Sequence, residues 1–129
     1  MLWDPIRAEW VAATPEEGVR QEWIRKMIGP LGYPKGLLSV EKALRAGRRI
    51  DLLCRMPGGE GLLPLLLAEC KAVEIDAHAE KQLLGYNEEV KAPFIALLGP
   101  NVAKTFWRTR EGIDSVPFLP SYAQLIAKL

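Results

Sequence analysis

Apolar residues recur at two different spacings along the chain, and the switches between them mark its elements. Between Val19 and Ile28 the spacing is helical: at about 100° per residue, Val19, Trp23, Ile24, Met27 and Ile28 line one stripe. Thr14-Pro15-Glu16-Glu17 is a strong start signal, with Thr14 as cap, Pro15 in the first turn and Glu17 placed to complete a capping box; Gly29-Pro30 is the stop. A second helix is predicted over about 76–91, with Ala79, Leu83, Asn87 and Val90 facing inward and Leu84 and Tyr86 at the margins. Elsewhere the pattern is that of strands. Residues 37–46 read as a first strand, with Leu38, Val40 and Lys42 on one face. Arg48 to Ala72 reads as two strands joined by the turn PGGEG, and Ala92 to Leu98 is a continuous apolar run suited to a buried parallel strand. A turn and a short strand carrying Phe106 and Trp107 are expected over 101–110, then a loop between Pro117 and Pro120 and a helix capped by Ser121. Residues 1–13 read as a short amphipathic segment with Trp3, Ile6, Trp10 and Val11 as its apolar positions.

These elements predict an α/β fold: a mixed central sheet flanked by helices, with core order α-β-β-β-α-β, over 1–129 as a single domain. A net charge of +1 means that any nucleic-acid affinity would come from local clusters, such as Arg45, Arg48 and Arg49 around one turn. No apolar run reaches the ~20 residues of a membrane span, and the N-terminus lacks a secretory apolar core, so a cytoplasmic protein is expected. Two cysteines without histidine partners make no zinc site, and Cys54 and Cys70 are expected to be packed free thiols. No GxxxxGK[ST] loop occurs, so no nucleotide-driven motor is expected in this chain; His78, the lone histidine, is expected in solvent.

The chemistry concentrates in the central hairpin. With the fold-back centred on Glu60, Asp51 lies across from Glu69, their Cβ atoms about 5 Å apart, and Lys71 shares the face of Glu69. Two carboxylates at that spacing repel unless a cation sits between them, and hard oxygen donors with room for water suit Mg²⁺. A structural ion pair of Asp51 and Glu69 with Arg49 or Lys71 would explain the same residues. Arg20 lies near the middle of the apolar stripe and needs a partner, either Glu17 or the acidic pair on the sheet.

The Asp51…Glu69-Cys70-Lys71 pattern resembles the active site of the PD-(D/E)xK nucleases. The words TPEEGVRQEWI, LGYPKGLLSVEK, RRIDLLC, LLLAECKA, QLLGYN and APFIALLG resemble, in this order, the N-terminal nuclease domain of type I restriction enzyme restriction subunits. The resemblance implies a restriction-endonuclease-like fold and Mg²⁺- or Mn²⁺-dependent hydrolysis of DNA phosphodiesters. It implies catalytic roles for Asp51, Glu69, Lys71 and Gln82, and metal ligation by Asp51, Glu69, the Cys70 carbonyl and Glu17, although capping alone would explain Glu17. Backbone contacts to DNA would fall to Arg20, Arg49, Gln82 and Tyr86; Gln82 and Tyr86 match a Q-x-x-x-Y motif found beside the catalytic core in one branch of these enzymes. A homodimer or a larger restriction-type complex fits a nuclease of this size. A nucleic-acid-binding or assembly subunit of the same fold, silent in catalysis, is the competing expectation.

Overall fold

Thr14 opens the first helix as its position suggests. In the computed structural model, which describes residues 1–129 apart from the side chain of Ala46, the Thr14 hydroxyl accepts the Glu17 N–H at 3.2 Å and α1 runs Pro15–Ile28. Val19, Trp23, Ile24 and Met27 are buried along it as the stripe predicts. The Glu17 carboxylate, however, does not return to cap the helix; it pairs with Arg7 and Arg20. Trp23 pins α1 to the sheet by donating its indole N–H to the Gly99 carbonyl at 2.8 Å.

The sheet has six strands in sequential order: β3 (Leu38–Ala43), β4 (Arg49–Gly58), β5 (Gly61–Cys70), β6 (Phe94–Gly99), β7 (Val102–Thr109) and β8 (Gly112–Val116). β5 and β6 are parallel and every other neighbouring pair is antiparallel, so two meanders meet along one parallel seam. The crossover at that seam is α2 (Ala77–Val90), capped by the Asp76 carboxylate on the Ala79 N–H at 2.8 Å. At the other end of α2 the Asn87 amide clasps both the N–H and the carbonyl of Ala92. The order α1-β3-β4-β5-α2-β6 is the expected α-β-β-β-α-β core, an α/β restriction-endonuclease-like arrangement.

Both faces of the central strands are covered. Phe94, Ala96 and Leu98 pack in one cluster with Ile24 and Met27 of α1, while Ile95 and Leu97 pack in the other with Ala79 and Leu83 of α2. Two-sided burial is why β6 shows an unbroken apolar run rather than alternation. The C-terminal helix α3 (Tyr122–Lys128), capped by Ser121, buries Leu125 in the α1-side cluster.

The central hairpin differs from expectation in one respect with consequences for chemistry. Its turn is two residues, Gly59-Glu60, between the paired Gly58 and Gly61. Carried down the strands unchanged, that register would set Asp51 against Ala68 and put Asp51 and Glu69 on opposite faces. A β-bulge intervenes between Cys54 and Arg55: Arg55 pairs with Pro64 and Cys54 with Leu66, leaving Leu65 as the extra residue. Beyond it the pairs Leu53 with Leu67 and Leu52 with Ala68 restore the predicted register, and the ladder ends there, one residue short of Asp51 and Glu69.

Two other segments depart from the sequence reading. Residues 1–13 form a two-stranded hairpin, β1 (Leu2–Asp4) and β2 (Glu9–Val11), in which Trp3 and Trp10 are paired and exposed while Asp4 is buried. β8 was not foreseen, because its residues are almost all exposed and carry no apolar alternation.

Candidate active site at the end of the central hairpin

Asp51 lies where the strand breaks its alternation. The ladder to β3 skips it and the ladder to β5 ends one residue before it, at Leu52, and opposite it in β3 Glu41 takes a left-handed backbone, φ 53°. Ile50 packs in the α2-side cluster and Leu52, only two residues on, in the α1-side cluster. The simple alternation that would place Asp51 squarely on the face of Glu69 therefore fails by a local twist. Its carboxylate instead closes the end of the hairpin: Oδ2 accepts the Cys70 N–H of β5 at 2.7 Å and Oδ1 accepts from Arg20 of α1 at 2.9 Å.

Glu69 and Lys71 leave β5 beside it. Lys71 Nζ stands 3.8 Å from Glu69 Oε1, while Glu69 Oε2 is buried without any hydrogen-bond partner among the described residues. Burial raises the Glu69 pKa above its ordinary value; Lys71 opposes that shift, and the Asp51 and Glu16 charges add to it. The side chains stay within reach of solvent, 14% exposed for Asp51, 16% for Glu69 and 30% for Lys71. Cys70 contributes main chain alone, since burial and the Asp51 charge push its thiol well up and keep it neutral. Both cysteines are free, as expected.

Arg20 and Glu17 belong to a buried ion network that the sequence reading caught only in part. Arg20, 5% exposed, reaches Glu17 Oε2 at 2.5 Å, Glu41 Oε1 at 3.1 Å and Asp51 Oδ1 at 2.9 Å. Burial works against its charge, but the carboxylates of Asp51, Glu17 and Glu41 together hold its pKa above the ordinary value. With three carboxylates around it, Arg20 is placed to hold Asp51 rather than a phosphate. Glu17 is 7% exposed and meets Asp51 only through Arg20. Arg7 and Glu41, unremarked in the sequence, complete the network. Arg7 pairs with Asp4 at 2.6 Å, with Glu17, and with Glu41 at 3.3 Å. An arginine at the middle of an apolar stripe signals that such partners exist, but the spacing of residues 4, 7, 41 and 51 says nothing of which they are.

Of the remaining predicted residues, Gln82 and Arg49 are exposed and Tyr86 is half-buried against the α2-side cluster. Gln82 of α2 donates to the Tyr86 hydroxyl at 3.1 Å, and the Arg48 guanidinium sits 5.5 Å from the Tyr86 ring while pairing with Glu89. Arg49 is exposed and donates to the Glu41 carbonyl at 3.2 Å. Gln82 therefore bonds within its own helix and not to Lys71.

Five carboxylates (Asp4, Glu17, Glu41, Asp51, Glu69) face three cations (Arg7, Arg20, Lys71), so negative charge is in excess. Among the described residues no three His, Cys, Asp or Glu side chains form a metal-holding group. A divalent cation would instead draw on Asp51, the unpartnered Glu69 Oε2, main-chain oxygen and water, a hard-oxygen set that fits Mg²⁺ or Mn²⁺.

Comparison with known protein families shows that a model of the family described as type I restriction enzyme R protein N terminus covers residues 15–119. No curated protein and no solved structure matches the chain.

Proposed function

Because the chain belongs to the family of type I restriction enzyme R protein N-terminal domains, we propose that it is a Mg²⁺- or Mn²⁺-dependent deoxyribonuclease domain with Asp51, Glu69 and Lys71 at its centre. The observation that carries this reading is Glu69: a buried carboxylate oxygen without a partner, next to a second carboxylate, is costly unless a cation completes it. Bound there, the ion would polarise the scissile phosphate and lower the pKa of a water. Lys71, the most exposed of the three side chains, would orient that water or meet charge growing on the phosphate oxygens. The Cys70 N–H and Arg20 fix the Asp51 carboxylate at two oxygens, leaving each oxygen a further lone pair. Arg49, Gln82 and Tyr86 are exposed or half-exposed and suited to the DNA backbone. DNA is the partner, alone or within a larger restriction-type complex. Among the described residues no helix is long and apolar enough to cross a membrane.

One observation favours a second reading, a catalytically silent DNA-binding or assembly subunit. The Arg20 guanidinium already neutralises part of the Asp51 charge that would attract a cation. Supercoiled plasmid incubated with Mg²⁺ or Mn²⁺ decides between the two. Conversion to nicked or linear forms by the wild-type chain, with at least ~100-fold loss in Lys71→Ala, supports the nuclease; equal backgrounds for both proteins support the silent subunit.

A further inference from the structure

The family match begins at residue 15, yet the ion network around Asp51 has its outermost members in the hairpin before it. Arg7 lies between β1 and β2 and spends its whole guanidinium inward: Nε on Asp4, Nη2 on Glu17 and Nη1 on Glu41. Asp4 in turn is fully buried and accepts four donors, the Ile6 and Arg7 N–H groups, Arg7 Nε and the Gln21 amide. Burial alone would raise its pKa, but those donors outweigh it and hold Asp4 below the ordinary carboxylate value. A charged, four-fold bonded carboxylate at zero exposure is a rigid anchor. It fixes Arg7, which fixes the two carboxylates, Glu17 and Glu41, that share Arg20 with Asp51.

From this chain of contacts we infer that the N-terminal hairpin is a positioning element of the site, and that Arg7 is its working residue. Arg7 touches neither Asp51 nor Glu69 in the described contacts; it acts through Glu17 and Arg20. Without it, Glu17 and Glu41 face Arg20 with one cation fewer, and Arg20 is free to turn from Asp51 toward them. Asp51 then loses the donor on Oδ1, and its hold on the Cys70 N–H loosens. Groups that orient a ligating carboxylate in this way typically change metal affinity by about 10–100-fold when removed. The second carboxylate, Glu69, is not in this network, so the effect falls on Asp51 alone.

Two measurements test the inference, and only the second rests on the nuclease reading. The first is metal-free amide hydrogen exchange of the full chain, comparing Cys70 with Leu66 and Ala68 of the same strand. In Arg7→Ala the Cys70 amide should exchange about tenfold faster relative to those two, because its acceptor is no longer held. A uniform change across β5, or none, would mean that Arg7 merely stabilises the fold, and the inference would be overturned. Arg7→Lys keeps the charge without the planar fork and should fall between wild type and Arg7→Ala. It also serves if Arg7→Ala does not fold; a Cys70 ratio equal to wild type in Arg7→Lys would then count against the inference. The second is calorimetric titration with Mn²⁺, where Arg7→Ala should bind about tenfold more weakly. Unchanged Mn²⁺ affinity in Arg7→Ala would overturn the inference. If the wild-type chain binds no Mn²⁺, the nuclease reading fails by itself and the Cys70 ratio alone decides the role of Arg7.

Discussion

Glu69 is where stability and proposed chemistry pull against each other most directly. Its folded pKa is raised, chiefly by burial. An acid raised on folding stabilises the native state below its unfolded pKa and loses that contribution as pH rises through the folded value. Above the folded pKa the ionised carboxylate, with its Oε2 lacking a partner, is therefore a liability to the free protein. Glu69→Gln should be more stable than wild type above that window, on the order of 1 kcal/mol, and the gain should vanish in acid below the unfolded pKa of about 4.5. Urea denaturation on both sides of the window measures it. Asp4, whose pKa is lowered, runs the opposite way and loses stability as pH falls, but it is common to both proteins and drops out of the difference. That Asp51 and Glu69 lie at the same end of the hairpin was legible from strand register because counting fixes partners along two paired strands, whereas the local twist at Asp51 was not. The Arg7 and Glu41 contacts were not, because pairs that meet only through the tertiary fold leave no spacing to count.

At the scale of elements, helix boundaries were the most readable feature, since caps are local chemistry: Thr14, Asp76 and Ser121 each cap the helix that follows. The bulge was written in the sequence as well. Pro64 has no N–H for the ladder, and proline in a central run is tolerated at a bulge or where a neighbour is missing. Pro64 meets both conditions, lying next to the bulge and before Leu66, where β6 begins to pair. The predicted register was right as far as Leu52 because two offsets cancel, a turn centred half a residue from Glu60 and one extra residue at Leu65. Deleting Leu65 should close the bulge and keep Leu52 across from Ala68, leaving Asp51 and Glu69 placed as in the wild type. Deleting Leu67, equally buried but on the site's side of the bulge, should swing Glu69 and Lys71 to the other face. Circular dichroism and Mn²⁺ titration separate them: a folded Leu65 deletion that still binds, weakened by about 2–5 kcal/mol for the lost core side chain, against a Leu67 deletion that does not bind.

Across the whole molecule, α1 joins the site to the core. Its first turns carry Glu17 and Arg20 into the ion network, while Trp23, Ile24 and Met27 anchor the rest against the sheet. From Glu17 to Met27 is ten residues, about 15 Å of helix. Substitutions that far apart, with no shared partner, generally act independently. Met27 is fully buried, so Met27→Ala should cost about 2–5 kcal/mol in chemical denaturation. A bound cation stabilises only the state that binds it, by an amount set by its concentration and affinity. Saturating Mn²⁺ should therefore stabilise wild type and Met27→Ala by the same increment of unfolding free energy, although they start from different stabilities. Asp51→Asn should show no such increment whatever its starting point. A smaller increment in Met27→Ala would mean that the core reaches the site through α1, and that core and ion network form one cooperative unit.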